Sequence, residues 1–275
     1  MERENIMFKA GWIRPNLAAV LLLLATIATL ENISLGQTAN PPLPLPDEDR
    51  QTLNEYLGNV VGAAVSPPAL ADGLYDLLPI RDGIAWRERV ISGKAAGADQ
   101  EGSARLLNHG DGTTRFRIDT GDGRNVLYGQ LDSNGSLLCY ASQDNQEGVI
   151  SRFSPAQPIF LADLAPGQTR HMTSHISVAD LSSPDVESHS GDLNVDFTYV
   201  GAYRLHVPAG TFDAVLMKTT LAGKVGPADV HDTIYRFFAR NAPLVAMVET
   251  DDISAMLVYH ERTRIGKVLV ETIGR

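Results

Sequence analysis

His171 and His175 are the histidines whose spacing best suits metal chelation, since on a helix residues four apart present both imidazoles on one face. The surrounding run Thr169-Arg170-His171-Met172-Thr173-Ser174-His175-Ile176 reads as a strand, which holds them roughly 13 Å apart. Neither a clustered cysteine nor a neighbouring carboxylate completes a ligand set, so both read as solvated strand histidines. His231, between Val230 and Asp232 with Asp229 nearby, offers a polar cluster, although a loop-to-strand junction accounts for it equally well. Ser188-His189-Ser190-Gly191-Asp192 holds the residue types of nucleophilic catalysis. A triad is assembled by folding, however, so their adjacency points to a polar turn. Neither Gly-x-Ser-x-Gly nor Ser-x-x-Lys occurs. Asp132-Ser133-Asn134-Gly135 starts like a calcium loop, but Leu137 stands where glycine is required and Gln143 where glutamate is required. It reads as a hairpin. Phosphate-binding and dinucleotide fingerprints are absent, and no cofactor or metal is expected. Carboxylates are plentiful, which leaves a glycosidase-like pair open.

These residues must be carried by a mainly β framework. From about Ile84 the chain breaks into short apolar runs separated by Gly, Asp and Asn. The expected strands are 84–92, 103–109, 113–119, 124–131, 136–142, 148–153, 169–178, 192–206, 212–223, 230–239, 244–250, 254–262 and 265–273. Asp111-Gly112, Asp122-Gly123 and Asn134-Gly135 supply turns that accept positive φ, so neighbouring runs should pair antiparallel. Stretches 93–102 and 179–191 read as exposed loops. Upstream, Leu53, Tyr56, Leu57, Val60, Val61 and Ala64 recur at three- and four-residue steps. They predict a helix over about 47–64, with Asp47 as cap and Glu48 and Asp49 in its first turn. A short second helix is expected through Leu70, Leu74, Tyr75 and Leu78.

Several late strands are apolar on both sides. In 212–223, Phe212, Ala214 and Leu216 oppose Val215, Met217 and Leu221; 254–259 and 265–270 behave alike. A sheet wet on one face alternates more cleanly, so both faces of these strands should be covered.

The 275 residues carry a net charge of −10, with 44% hydrophobic and 20% charged residues. This excludes overall disorder. The acidic balance disfavours general binding to nucleic acid or to anionic membrane surfaces. Arg3, Lys9 and Arg14 precede the uncharged block Leu17–Leu30, which is short for a membrane span and fits a secretory signal. Cleavage is expected after Gly36, with Ala39 as second choice; an uncleaved anchor is the alternative. The expected organisation is a signal over 1–36, a Pro-rich linker over 37–46 and a single β-rich domain over 47–275 whose helical segment is 47–78. Cys139 is the one cysteine, so no internal disulfide forms, and in Leu137-Leu138-Cys139-Tyr140 it reads as a small buried hydrophobe.

Val207-Pro208-Ala209-Gly210-Thr211-Phe212-Asp213 combines a tight turn with the opening of a strand. It resembles the V-P-A-G-T-F hallmark of exported bacterial β-rich domain families of unknown function. In those families a later aromatic strand ends near a glycine-containing turn. The segment from Tyr235 to Val245 is similar but lacks that glycine. The resemblance spans roughly residues 195–260. It implies a strongly curved antiparallel sheet, shaped like periplasmic lipoprotein carriers, with a helix across its concave side. It carries no catalytic residues.

The reading is an α+β, mainly β fold: a curved antiparallel sheet or half-barrel with the N-terminal helix on its concave face. The expected role is an exported, periplasmic or extracellular, non-enzymatic binding or envelope-associated module. Close packing favours a helix that fills the concavity permanently, and the alternative is an apolar, lipid-like ligand that displaces the helix or shares the space. Phe212, Leu216, Tyr235, Phe237, Met247, Leu257 and Tyr259 are the expected lining. A secreted hydrolase acting on a glycan or ester is one alternative, which predicts converging polar groups with perturbed pKa values in a cleft. A structural or assembly partner with Tyr235 and Phe237 on an exposed face is the other.

Overall fold

Turn chemistry divides the chain into hairpins. Gly121, Asp122 and Gly123 all adopt positive φ between two strands, and Gly135 does so at the next turn. There Asp132 Oδ1 accepts the N–H groups of Asn134 and Ser136. A computed structural model describes residues 40–70, 82–108, 113–255 and 259–273. The described residues form one compact unit. It opens with α1 (Asp47–Leu57), a single 3-10 turn over 58–60 and β1 (Val61–Val65). Then come β2 (Ile84–Ser92), β3 (Asp99–Asn108), β4 (Thr114–Thr120), β5 (Asn125–Leu131), β6 (Leu137–Asp144) and β7 (Val149–Phe160). They are followed by β8 (Thr169–Asp180), β9 (Glu187–Val207), β10 (Gly210–Val225), β11 (Ala228–Ala239), β12 (Ala246–Ala255) and β13 (Tyr259–Ile273).

From β2 to β13 each strand pairs with its predecessor, and β13 pairs back onto β2. Pairing of β8 with β9 completes a closed antiparallel ring of twelve strands, with β1 added along β9. The half-barrel expected from the sequence is therefore a full barrel. Closure satisfies strand edges that an open sheet would leave unpaired.

The helix ends earlier than its apolar stripe suggests. Gly58 takes φ +62 and its N–H bonds back to the Asn54 carbonyl, a glycine-dependent stop. The β-branched residues that follow extend instead, and Val61, Ala64 and Val65 pair with Leu205, Tyr203 and Ala202 of β9. The expected second helix falls largely on residues 71–81, outside those described. The presumed linker is docked from Asn40 onward: Asn40 Nδ2 donates to the Pro67 carbonyl, and Leu45 packs beside the core. Residues 99–102, expected in a loop, begin β3, and β9 starts at Glu187 inside the second expected loop.

The helix also lies on the other side of the sheet from the one expected. Phe116 of β4, Leu137 and Cys139 of β6, Phe160 of β7, and Val215, Met217 and Phe238 of β10 and β11 form one buried cluster. Strands so far apart around the ring meet only across its interior. The Phe160 and Phe238 rings touch edge-on, 5.5 Å between centroids. Leu53 and Leu57 of α1 instead pack with Leu216, Tyr235, Phe237, Val248 and Val268. These alternate with the inward residues on their strands, so α1 covers the outer wall. Close approach there needs Gly266, where a Cβ would stand 2.2 Å from the Tyr56 carbonyl oxygen. Around Leu216, Tyr235 and Phe237 both faces of β10 and β11 are thus covered, one by α1 and one by the rest of the barrel.

Candidate functional site

The register assigns each late-strand residue to one side of the wall. Inward, β11 presents Asp232, Ile234, Arg236 and Phe238, and β12 presents Met247, Glu249 and Asp251, with Asp232 opposite Asp251 and Arg236 opposite Met247. Arg236 Nη1 donates to Thr219 Oγ1 at 3.3 Å. Burial works against the Arg236 charge, while Glu249 and Asp232 favour it. Burial, then the Glu249 and Asp251 carboxylates, push Asp232 up to about 8, so it holds its proton at neutral pH. Its Oδ1 is buried without a hydrogen-bond partner among the described residues. Lys267 Nζ meets Glu88 Oε1 at 2.7 Å, both nearly inaccessible. Cys139 reaches the Arg236 field from across the barrel, and burial pushes its thiol up to about 11, which leaves it protonated and inert. The interior is aromatic around Phe116, Phe160, Phe197 and Phe238 and charged around Arg236, rather than apolar throughout.

The expected lining residues separate. Leu216, Tyr235 and Phe237 are fully buried beneath α1, with Phe212 half-buried beside them. Met247 faces the opposite, inner side. Leu257 lies outside the described residues, and Tyr259 opens β13 opposite Ala255. Sequence reasoning missed Arg236 and Glu249, and it set Asp232 in a cluster with His231, which stands on the opposite face of β11. The signal was available: Asp232, Ile234, Arg236 and Phe238 share one strand face, so charge alternates there with large apolar groups.

Asp49 ties α1 to the wall. Only 4% exposed, its Oδ1 accepts Lys218 Nζ at 2.6 Å and Tyr235 Oη at 2.8 Å. Lys218 Nζ also lies 5.4 Å from the Tyr235 ring centroid. Burial, with the Asp49 carboxylate next, raises the Tyr235 pKa.

Beside the helix, the outer wall is polar across six strands. One cross-strand row reads His171, Asp196, Thr220, Thr233, Thr250, Arg264, and the next reads Thr173, Asn194, Ala222, His231, Asp252, Arg262. Small residues in the middle leave a trough of about 270 Å³ lined by Thr220, Ala222, His231, Thr233, Thr250, Asp252 and Arg264, with Leu221 and Asp232 contributing between them. The Arg264 Nη1 is pinned by the carbonyls of Asp251 and Thr263 at 2.6 and 2.7 Å, and Arg264 also bonds Tyr56 of α1. Asp252 Oδ2 accepts Arg262 Nε at 3.1 Å and has Arg264 Nη2 at 3.9 Å. The two histidines once weighed for metal are each held by a carboxylate across the strand pair: His171 Nδ1 lies 2.6 Å from Asp196 Oδ1 and His175 Nδ1 2.8 Å from Asp192 Oδ1.

No family model and no curated protein matches the chain. Among solved structures, a candidate exported protein with a YmcC-like fold from Bacteroides fragilis superposes on 72% of this chain and 99% of its own, at 11% identity and a TM-score of 0.45. A candidate lipoprotein from Parabacteroides distasonis covers 72% of this chain and 98% of its own, at 14% identity and a TM-score of 0.37.

Proposed function

We propose that the chain is an exported, non-enzymatic binding module that takes a ligand with an apolar body and a polar end into the barrel. The basic start and the uncharged Leu17–Leu30 block support export. The observation that carries the binding reading is the division of the interior. Phe116, Phe160 and Phe238 pack into a greasy cluster that a guest must part, while Arg236 and protonated Asp232 supply donors and Glu249 an acceptor. A wholly apolar ligand would leave those polar groups unsatisfied, so the lipid-like guest needs a polar head. Met247 stands inward on β12, half-buried and opposite Arg236, between the two regions.

The carboxylate pair also favours a second reading, ester hydrolysis, with Asp232 as acid and Glu249 as base. One experiment separates the two. A fluorescent fatty acid and p-nitrophenyl laurate are offered to the protein and to Met247→Trp, which fills the interior while leaving every charge in place. Binding of the fatty acid without turnover, weakened about tenfold by the tryptophan, supports the module. Turnover that Asp232→Asn abolishes supports the hydrolase. Neither uptake nor turnover, in variants whose circular dichroism is native, rejects the interior as a site.

A further inference from the structure

The trough on the outer wall lies on the opposite side of the sheet from the interior ligand site, and its chemistry differs. Its floor is a row of threonines, Thr220, Thr233 and Thr250, on three adjacent strands. Adjacent strands stand about 4.8 Å apart, so the row places hydroxyls across about 10 Å. Beside it, Ala222 leaves room that a larger residue would fill. Arg264 is held by two carbonyls and by its hydrogen bond with Tyr56 of α1, so its remaining N–H groups are preorganised rather than free to wander.

The ligand class follows from what this set rejects. An anion approaching Arg264 also meets the Asp252 carboxylate, and a cation approaching Asp252 meets Arg262 and Arg264. An apolar body would desolvate threonine hydroxyls and the edges of His231 without replacing their hydrogen bonds. An uncharged ligand rich in hydroxyl groups satisfies all of them, because each hydroxyl both donates and accepts. The threonines then act as adaptable partners, Arg264 as a fixed donor and Asp252 as an acceptor. The trough is open and runs across strands, which suits a chain passing over the wall. We infer that it binds a neutral oligosaccharide.

The test uses the full chain labelled with ¹⁵N and titrated with cellohexaose, maltohexaose, chitohexaose and mannohexaose, with dextran sulfate as the anionic control. The expected result is saturable amide shifts for at least one neutral sugar, centred on Thr220, His231, Thr233 and Thr250. Ala222→Trp fills the trough and should abolish them. Thr220→Val with Thr233→Val keeps the side-chain shape, removes two hydroxyls and should weaken binding about fivefold or more. The interior variant Met247→Trp should leave the titration unchanged, which keeps this result separate from the fate of the interior site. Shifts produced only by dextran sulfate, shifts indifferent to Ala222→Trp, or no shift with any of the four neutral sugars would each overturn the inference.

Discussion

A carboxyl group that keeps its proton at neutral pH makes stability depend on pH in a direction opposite to that of a salt-bridged aspartate. Asp232 titrates near 8 when folded, and an unfolded aspartate near 3.9. Between those values the folded protein holds a proton that the unfolded chain has released. Stability therefore falls as pH rises through this window and levels off above about 8. Asp232→Asn cannot ionise, so its urea-denaturation stability should decline less than that of the wild type between about pH 5 and pH 8. Parallel profiles for the two proteins would show that Asp232 is ionised in the fold. The period-two pattern of β11 put Asp232 and Arg236 on the same face as Phe238, so their company was legible in the sequence. Their protonation was not, because it depends on Glu249 and Asp251 arriving from the next strand.

At the scale of elements, α1 is held by few contacts of high value. Its attachment rests on Leu53 and Leu57, the Asp49 bridge to Lys218 and Tyr235, and the gap over Gly266. Asp49→Ala leaves Lys218 facing a buried vacancy, and losing one partner of such a pair costs about 3 kcal/mol. Gly266→Val drives a side chain into the Tyr56 carbonyl. In both variants, hydrogen exchange should show faster exchange over residues 47–57 while the amides of β10 and β11 stay protected. Loss of protection across the whole chain would mean that α1 is integral to barrel stability rather than a piece laid upon it. The apolar stripe and acidic first turn announced this helix, and Gly58 marked its end. Which face of the sheet received it was undecidable from the stripe, since β10 is apolar on both sides.

For the whole molecule, the decisive feature is contact across the closed ring. Phe238 is 2% exposed and meets Phe160 edge to face from a different part of the barrel. Phe238→Ala should lower unfolding free energy by about 3–5 kcal/mol in urea titration, through lost transfer energy and the cavity left behind. A cost under about 1 kcal/mol would mean that the interior is loosely filled at that level. The outer wall, by contrast, carries polar pairs such as His171 with Asp196 and the ion pair of Arg89 with Asp99. That is the reverse of the apolar outer band of a barrel that faces lipid.

What the residues alone determined is local: where most strands turn, that β10 is apolar on both sides around Leu216, and that Cys139 is a core residue. Alternation with period two separates a strand into two faces, and turn residues fix neighbour pairing, because both act over a few bonds. The tertiary structure decided the rest. Ring closure depends on β13 meeting β2, a pairing between segments distant in the chain. Only after closure does one face become an interior. At that point Arg236 turns from an ordinary strand polar residue into a buried charge and Asp232 into a buried carboxyl that keeps its proton, while Thr220, Thr233 and Thr250 turn from scattered hydroxyls into one continuous floor.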